Sequence, residues 1–253
     1  MNSVLIELSV AGGMLIALSG ALDVGFRLGR RGRAKDPDGP ASQVPVIQAA
    51  VLGLLGLLLA FSFAAAGGRF LERQDLIVQE ANAIGTSYLR ADLLAEPQRS
   101  ELRTALKEYT EHRVAATAEL RHLWTESMLT EAEQMHGRIW RAARDGVAAR
   151  PELSVAVLTP VNDVIQLHSV RVAAARKQLP WLVLVLLVVC SLLAVGVIGF
   201  GCGMEGRRQL PLSLSLTVLI GAALCVTIDL DQPRMGLLQV SDRPLQALKF
   251  DSH

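Results

Sequence analysis

VPVIQAAVLGLLGLLLAFSFAAA, residues 44–66, decides the fold. It carries no charge, and about 20 apolar residues suffice for a helix to cross a ~30 Å hydrocarbon core. Three more stretches read the same way: residues 4–22, interrupted by Glu7 and Ser9, then 181–202 and 210–228. Two spans lie at each end of the chain and bracket a charged middle. The pattern predicts an all-α integral membrane protein. Four transmembrane helices, paired as two hairpins, flank a soluble helical-bundle domain. The expected divisions are a first hairpin over 1–68, a soluble domain over 69–179, a second hairpin over 180–230 and a C-terminal tail over 231–253.

The apolar fraction of 51% is close to that of the whole sequence of a soluble protein, about 45–50%. The clustering therefore carries the signal, not the mean. The first span lacks a basic n-region and has its basic stretch, Arg27 to Lys35, after the apolar run, so it reads as a retained helix and not as a signal peptide. Net charge is +1, which gives no case for nucleic acid. Residues 69–177 hold 15 basic and 15 acidic side chains, a mixed and solvated surface. The three cysteines (Cys190, Cys202 and Cys225) lie in or at the ends of spans, with neither a disulfide framework nor metal-ligand spacing.

Between the hairpins the apolar residues recur at helical spacing. Phe70, Leu71, Leu76, Ile77, Ala81, Ile84, Tyr88 and Leu89 extend the second span as one long amphipathic helix. Glu96-Pro97 breaks it. Leu102, Leu106, Tyr109, Val114, Ala118 and Leu120 mark a next helix; Met128, Ala132, Met135, Ile139 and Trp140 mark another. Pro151 opens the last, with Val155, Leu158, Val161, Ile165, Leu167 and Val172 on its apolar side and Pro160 as a kink point.

An even number of spans puts both termini and the middle domain on one side. Basic residues near the span ends number seven on one side and eight on the other, so the count does not orient the chain. The flanks of the first span alone point to termini and domain outside.

Small residues four apart let helix backbones approach in lipid. Such ladders are Gly56, Ala60, Ala64 and Gly68 on the second span, Gly13, Ala17 and Ala21 on the first, Gly199 and Gly203 on the third, and Ser213, Thr217 and Gly221 on the fourth. They serve packing within a subunit or contacts between subunits. Glu7 and Asp23 sit near the ends of the first span and read as interfacial. Glu108, Glu111 and His112, with His122 and Glu126, are acid–histidine pairs at helical spacing, but they match no zinc-protease signature and read as a solvated face. No phosphate loop, Ser/His/Asp set or dinucleotide fingerprint occurs. The chain is expected to be no enzyme, with no metal and no cofactor.

Leu57-Leu58-Leu59-Ala60-Phe61-Ser62-Phe63, then Arg69-Phe70-Leu71-Glu72-Arg73, then Val78 to Arg90 resemble the pore helix of bacterial bestrophins and the start of their soluble domain. The block Glu80-Ala81-Asn82-Ala83-Ile84-Gly85-Thr86 and the tail Asp229 to Ser241 are similar to a family of bacterial bestrophin-like membrane proteins of unknown function. The resemblance implies a homo-oligomer, a pentamer in bestrophins, that conducts small anions across a bacterial inner membrane. It keeps the soluble domain in the cytosol, against the first-span argument, and the orientation stays open. It also implies a hydrophobic neck on the second span at Gly53, Leu57 and Phe61. Leu57 and Phe61 suit a constriction that gates by dewetting; Gly53 supplies no side chain to it. Asn82, Gly85 and Thr86 follow the neck as buried polar contacts or as a cavity lining, the buried contact being favoured. Asp229 and Asp231 are too sparse for a calcium cage of six or more oxygens. The alternative reading, from another class, is a non-conducting membrane sensor or scaffold whose helical domain binds a ligand or partner protein.

Overall fold

The computed structural model describes residues 2–35, 43–119, 126–232 and 238–250. They are almost entirely helical, and no strand occurs among the described residues. The helices are α1 (Asn2–Lys35), α2 (Val44–Arg90), α3 (Gln98–Glu119), α4 (Glu126–Val147), α5 (Ser154–Arg176), α6 (Trp181–Glu205), α7 (Leu210–Asp231) and the single turn α8 (Arg243–Gln246). Among the described residues four helical stretches are long and apolar enough to cross a membrane: Leu8–Lys35, Val44–Leu93, Pro151–Glu205 and Leu210–Asp231. The hydropathy of the third comes from α6, since α5 belongs to the charged middle. The chain is an all-α membrane protein, and it exposes large apolar side chains such as Ile16, Trp181 and Leu212.

Two compact units form. The first contains α1, α2 up to Arg69, α6 and α7. The second contains α2 from Phe70, then α3, α4, α5 and residues 239–250.

In the first unit α1 and α6 run parallel and meet backbone to backbone. A Cβ on Gly25 would stand 2.0 Å from the Gly196 carbonyl oxygen, one on Gly29 2.1 Å from that of Phe200, and one on Gly199 2.1 Å from that of Leu22. Lipid tails are as apolar as leucine, so burial alone does not hold helices together there; close approach of small residues does. Around this seam Leu18, Leu55, Leu187, Ala194, Val195, Ile220 and Leu224 are buried. Hydroxyls in the same layer return to their own helices: Ser191 donates to the Leu187 carbonyl at 2.7 Å and Thr217 to that of Ser213 at 2.8 Å. Gly206 ends α6 in the left-handed region at φ 74°, its N–H closing on the carbonyls of Cys202 and Gly203.

The first helix does not end near residue 22. Arg27 to Lys35 continue it, because nothing between Asp23 and Lys35 breaks a helix and Gly25 and Gly29 are held against α6. Gly13 and Ala17, expected on the packing ladder, are exposed, and the contact is made by Gly25 and Gly29, about two to four turns further on. Gly67-Gly68 likewise leaves α2 unbroken.

The second unit packs α2, α3, α4 and α5 around Ile77, Ile84, Leu102, Leu106, Tyr109, Ile139, Val157, Val161 and Val164. Trp140 and Val155 lie outside this core; Val155 is 78% exposed. The inner face of α5 runs instead through Val157, Val161, Val164, His168 and Arg171. Pro160 lacks an N–H for the carbonyl of Ala156, and the Arg90 guanidinium donates to that oxygen at 2.7 Å. Residues 239–250 do not form a separate tail. Leu245 is 1% exposed within the core, Phe250 meets Tyr88 edge-on at 4.9 Å, and Ser241 and Gln74 exchange hydrogen bonds of 3.1 and 3.4 Å.

Candidate functional site

Two arrangements draw attention: the outward stripe of α2 and an ionic centre inside the second unit.

α2 is one uninterrupted helix of 47 residues, about 70 Å at 1.5 Å per residue. Its buried positions in the first unit are Leu55, Ser62 and Ala66. Leu57 and Phe61 point the other way and are 54% and 68% exposed. Gly53 is exposed as well, and a Cβ there would meet nothing within 4 Å. Gly56, Ala60, Ala64 and Gly68 are also exposed, so within one subunit this ladder packs against nothing. Gly56 and Ala60 lie one residue, about 100°, from Leu57 and Phe61 respectively, while Ala64 and Gly68 fall within about 60° of both. Gly199 and Gly203, by contrast, sit in the α1–α6 seam; a Cβ on Gly203 would stand 2.3 Å from the Phe26 carbonyl oxygen.

Asn82 is exposed, which corrects its reading as a buried contact; its position on α2 falls opposite the core-facing Ile84 and Glu80. Gly85 is half-buried beneath Leu248, and Thr86 is half-buried. Asn82 and Thr86 line an open groove of about 640 Å³ between α2 and α5, with Gln79, Arg90, Asp163 and Gln166.

At the end of α7 the carboxylate of Asp231 is fully engaged. The Leu179 N–H donates to its two oxygens at 2.8 and 3.1 Å, and Arg69 Nε donates to Oδ1 at 3.1 Å. Asp229 Oδ2 accepts from the Leu238 N–H at 2.9 Å. In the second unit Arg73 donates to the carbonyls of Ala174 at 3.2 Å and Lys177 at 2.6 Å, closing the last turn of α5.

The centre of the second unit is ionic. Glu80 on α2 is fully buried. Its carboxylate faces Arg171 of α5, which pairs with Oε2, and Arg113 of α3, whose Nε lies 3.5 Å from Oε1. Tyr109 Oη donates to Oε1 at 2.6 Å and lies 3.3 Å from His168 Nδ1. His136 of α4 stacks edge-on against His168 at 4.8 Å, and Asp242 stands 3.9 Å from Arg171. Two carboxylates thus balance two guanidiniums. Burial, with the nearby Arg113 cation, holds the His136 ring neutral and lowers its pKa to about 4. The same causes, in the same order, lower His168 to about 3, and burial raises the Tyr109 phenol to about 12 against the pull of Arg113.

None of these centre residues is a sequence-predicted site residue. The signal was there: Arg113, His168 and Arg171 interrupt apolar helical stripes on α3 and α5, and a charge on such a stripe needs a buried partner. The predicted acid–histidine pairs separate instead. His112 bonds Glu131 at 3.0 Å and Glu108 pairs with Arg138 at 2.8 Å, both toward solvent. His122 and the side chain of Glu126 lie outside the described residues, as do the side chain of Glu7 and residues 233–237 of the tail motif. Among the described residues no three His, Cys, Asp or Glu side chains are grouped as metal ligands.

Two membrane hairpins around a helical domain, with one helix running unbroken out of the first hairpin, define an integral membrane protein of the two-plus-two kind. The bestrophin-like domain model matches residues 15–245, and the chain belongs to the bestrophin-like family. No curated protein and no solved structure matches it significantly.

Proposed function

We propose that this chain is a subunit of a homo-oligomeric channel in a bacterial inner membrane, with the conduction path along the outward stripe of α2. One observation carries the reading: in a bestrophin-like chain, Leu57 and Phe61 project from a spanning helix away from everything the subunit buries. Several copies brought together on that stripe would give rings of bulky apolar side chains one turn apart, a constriction that gates by dewetting. The adjacent ladder of Gly56, Ala60 and Ala64 supplies small residues for close contact between neighbouring copies. The proposed role is not enzymatic. Likeness to bestrophins, and nothing in the charge of α2, names small anions as the permeant species and five as the subunit number.

The open groove between α2 and α5, lined by both polar and apolar side chains, supports a second reading, a non-conducting sensor or scaffold that binds a ligand or partner through the second unit. Counting subunits in lipid nanodiscs by single-particle imaging separates the two. A closed ring with α2 innermost supports the channel, and bilayer recordings of Leu57→Ala and Phe61→Ala should then show raised open probability. A monomer or dimer has no shared axis and overturns it.

A further inference from the structure

We infer that the basic extension of α1 holds an anionic phospholipid, with Arg31 and Lys35 on its phosphate and Val24 and Leu28 along its acyl chain. The site lies wholly within the first unit and is independent of conduction along α2.

The seam with α6 decides which side of the extension is free. Gly25 and Gly29 lie against the carbonyls of Gly196 and Phe200, and Gly32 faces the Met204 thioether. At 100° per residue these three glycines fall within an arc of about 60°. Val24, Leu28, Arg31 and Lys35 fall within another arc of about 60°, centred about 100° further round the helix. All four are exposed. They make a stripe about 16 Å long, apolar over its first half and basic over its second. Helical side chains lean toward the N-terminus, so both bases lean back over the apolar half. Residues four apart on a helix are neighbours, about 6 Å between Cβ atoms, so Arg31 and Lys35 can reach one phosphate.

The charge at this end of the unit is not balanced. Because α1 stays helical to Lys35, the Arg33 guanidinium lies against Gly206, and the basic stretches 27–35 and 207–208 come together. Asp23 is already taken, by Arg27 at 2.7 Å and Arg208 at 3.1 Å, and Arg208 also stacks over Phe26 at 4.3 Å. Arg31 and Lys35 make no ion pair among the described residues. Residues 23–38 and 205–208 together hold seven basic and four acidic side chains, Asp36 and Asp38 included. A basic side chain beside a membrane span strengthens the hold on anionic lipid about fivefold. The planar fork of Arg31 suits two phosphate oxygens at once. Free phosphate would use the bases alone. Only a ligand with a tail also covers Val24 and Leu28.

The test titrates the full chain, in a neutral detergent, with phosphatidylglycerol or phosphatidylethanolamine and reads bound lipid by native mass spectrometry. Phosphatidylglycerol should bind about 25-fold more tightly, from two bases at about fivefold each. Arg31→Gln and Lys35→Gln should each cost about fivefold and the double variant about 25-fold. Leu28→Asn should weaken phosphatidylglycerol as well, and added salt should weaken it further. Arg33→Gln, with its side chain on the turn after α6, should cost far less. Arg31, Lys35 and Leu28 are exposed, so these variants leave packing alone. Equal affinity for the two lipids, or a double variant that binds like wild type, overturns the inference. So does an Arg33→Gln loss as large as that of Arg31→Gln, which would make net charge and not this stripe the cause. Displacement of phosphatidylglycerol by millimolar inorganic phosphate would make this a free-phosphate site and overturns the lipid.

Discussion

Where α1 meets α6 the contact residues are Gly25, Gly29, Gly199 and Gly203; where α2 meets α3 and α5 in the second unit they are Glu80, Arg113 and Arg171. The first seam has almost no side chain in it, and the second is made of the longest and most polar side chains the chain has. The difference follows from the solvent each unit displaces. Lipid offers helices no hydrophobic reason to associate, so proximity of backbones supplies the attraction. Water drives the apolar faces of the second unit together, and that burial is strong enough to carry a desolvated ion network with it. A seam of glycines fails by crowding. An ionic core fails by losing one partner.

The largest effect should come from the ionic side. Glu80→Ala removes the one carboxylate shared by Arg113 and Arg171 and leaves two buried guanidiniums with less negative charge than they need, at a cost of about 3–5 kcal/mol. Urea denaturation of the full chain in detergent, followed by circular dichroism, should show the second unit melting early or not folding. Replacing Glu80, Arg113 and Arg171 together by apolar residues should cost less than the single change. If it costs more, the network is worth more than packing.

Next is the glycine seam. Gly199→Val places a side chain 2.1 Å from the Leu22 carbonyl, so the backbones must separate; overpacking of this kind costs about 1–3 kcal/mol. Loss of a cysteine crosslink engineered between α1 and α6 would report it. Ala64→Val, on the outward ladder of α2, is the internal control. It should change subunit stability by no more than about 0.5 kcal/mol, because nothing in the subunit packs there. Equal costs would break the contrast between a packed ladder and an open one.

Acid should act on the second unit through its buried histidines. His136 is neutral when folded, with a pKa near 4 against an ordinary 6.5, so the unfolded chain binds the proton more readily. Stability is therefore full above pH 6.5, falls as pH drops through the interval, and levels off below 4. His168 acts in the same direction. His136→Phe should flatten that slope, and a slope unchanged in the variant would place the proton uptake elsewhere. The smallest effect is that of Arg90→Ala, which leaves the Ala156 carbonyl above Pro160 without its donor and should cost about 1 kcal/mol.

Much of this was legible before any coordinates. Four apolar runs announced the spans, and the unbroken spacing from Phe70 to Leu89 announced that α2 continues past the membrane. Other positions misled. Val155 and Trp140 are apolar yet exposed, because a helix of alternating character offers more than one plausible stripe and only its neighbours choose. Asn82 is polar and sits among apolar residues, but its phase on α2 is outward. The end of α1 is not legible in the sequence, since a basic run resembles a loop when nothing shows what it packs on.

Sequence by itself determined the class of protein, because bilayer thickness and backbone hydrogen bonding leave a run of about 20 apolar residues little choice but to span as a helix. It also determined the family, through residues 15–245. Only the tertiary structure decided which polar residues meet. Glu80, Arg113, His136, His168, Arg171 and Asp242 come from four helices and the C-terminal segment, the first and last 162 residues apart in sequence. Each alone reads as a surface charge. Their partnership exists only where the packing of separate helices removes the water between them, and no local pattern in the chain encodes that.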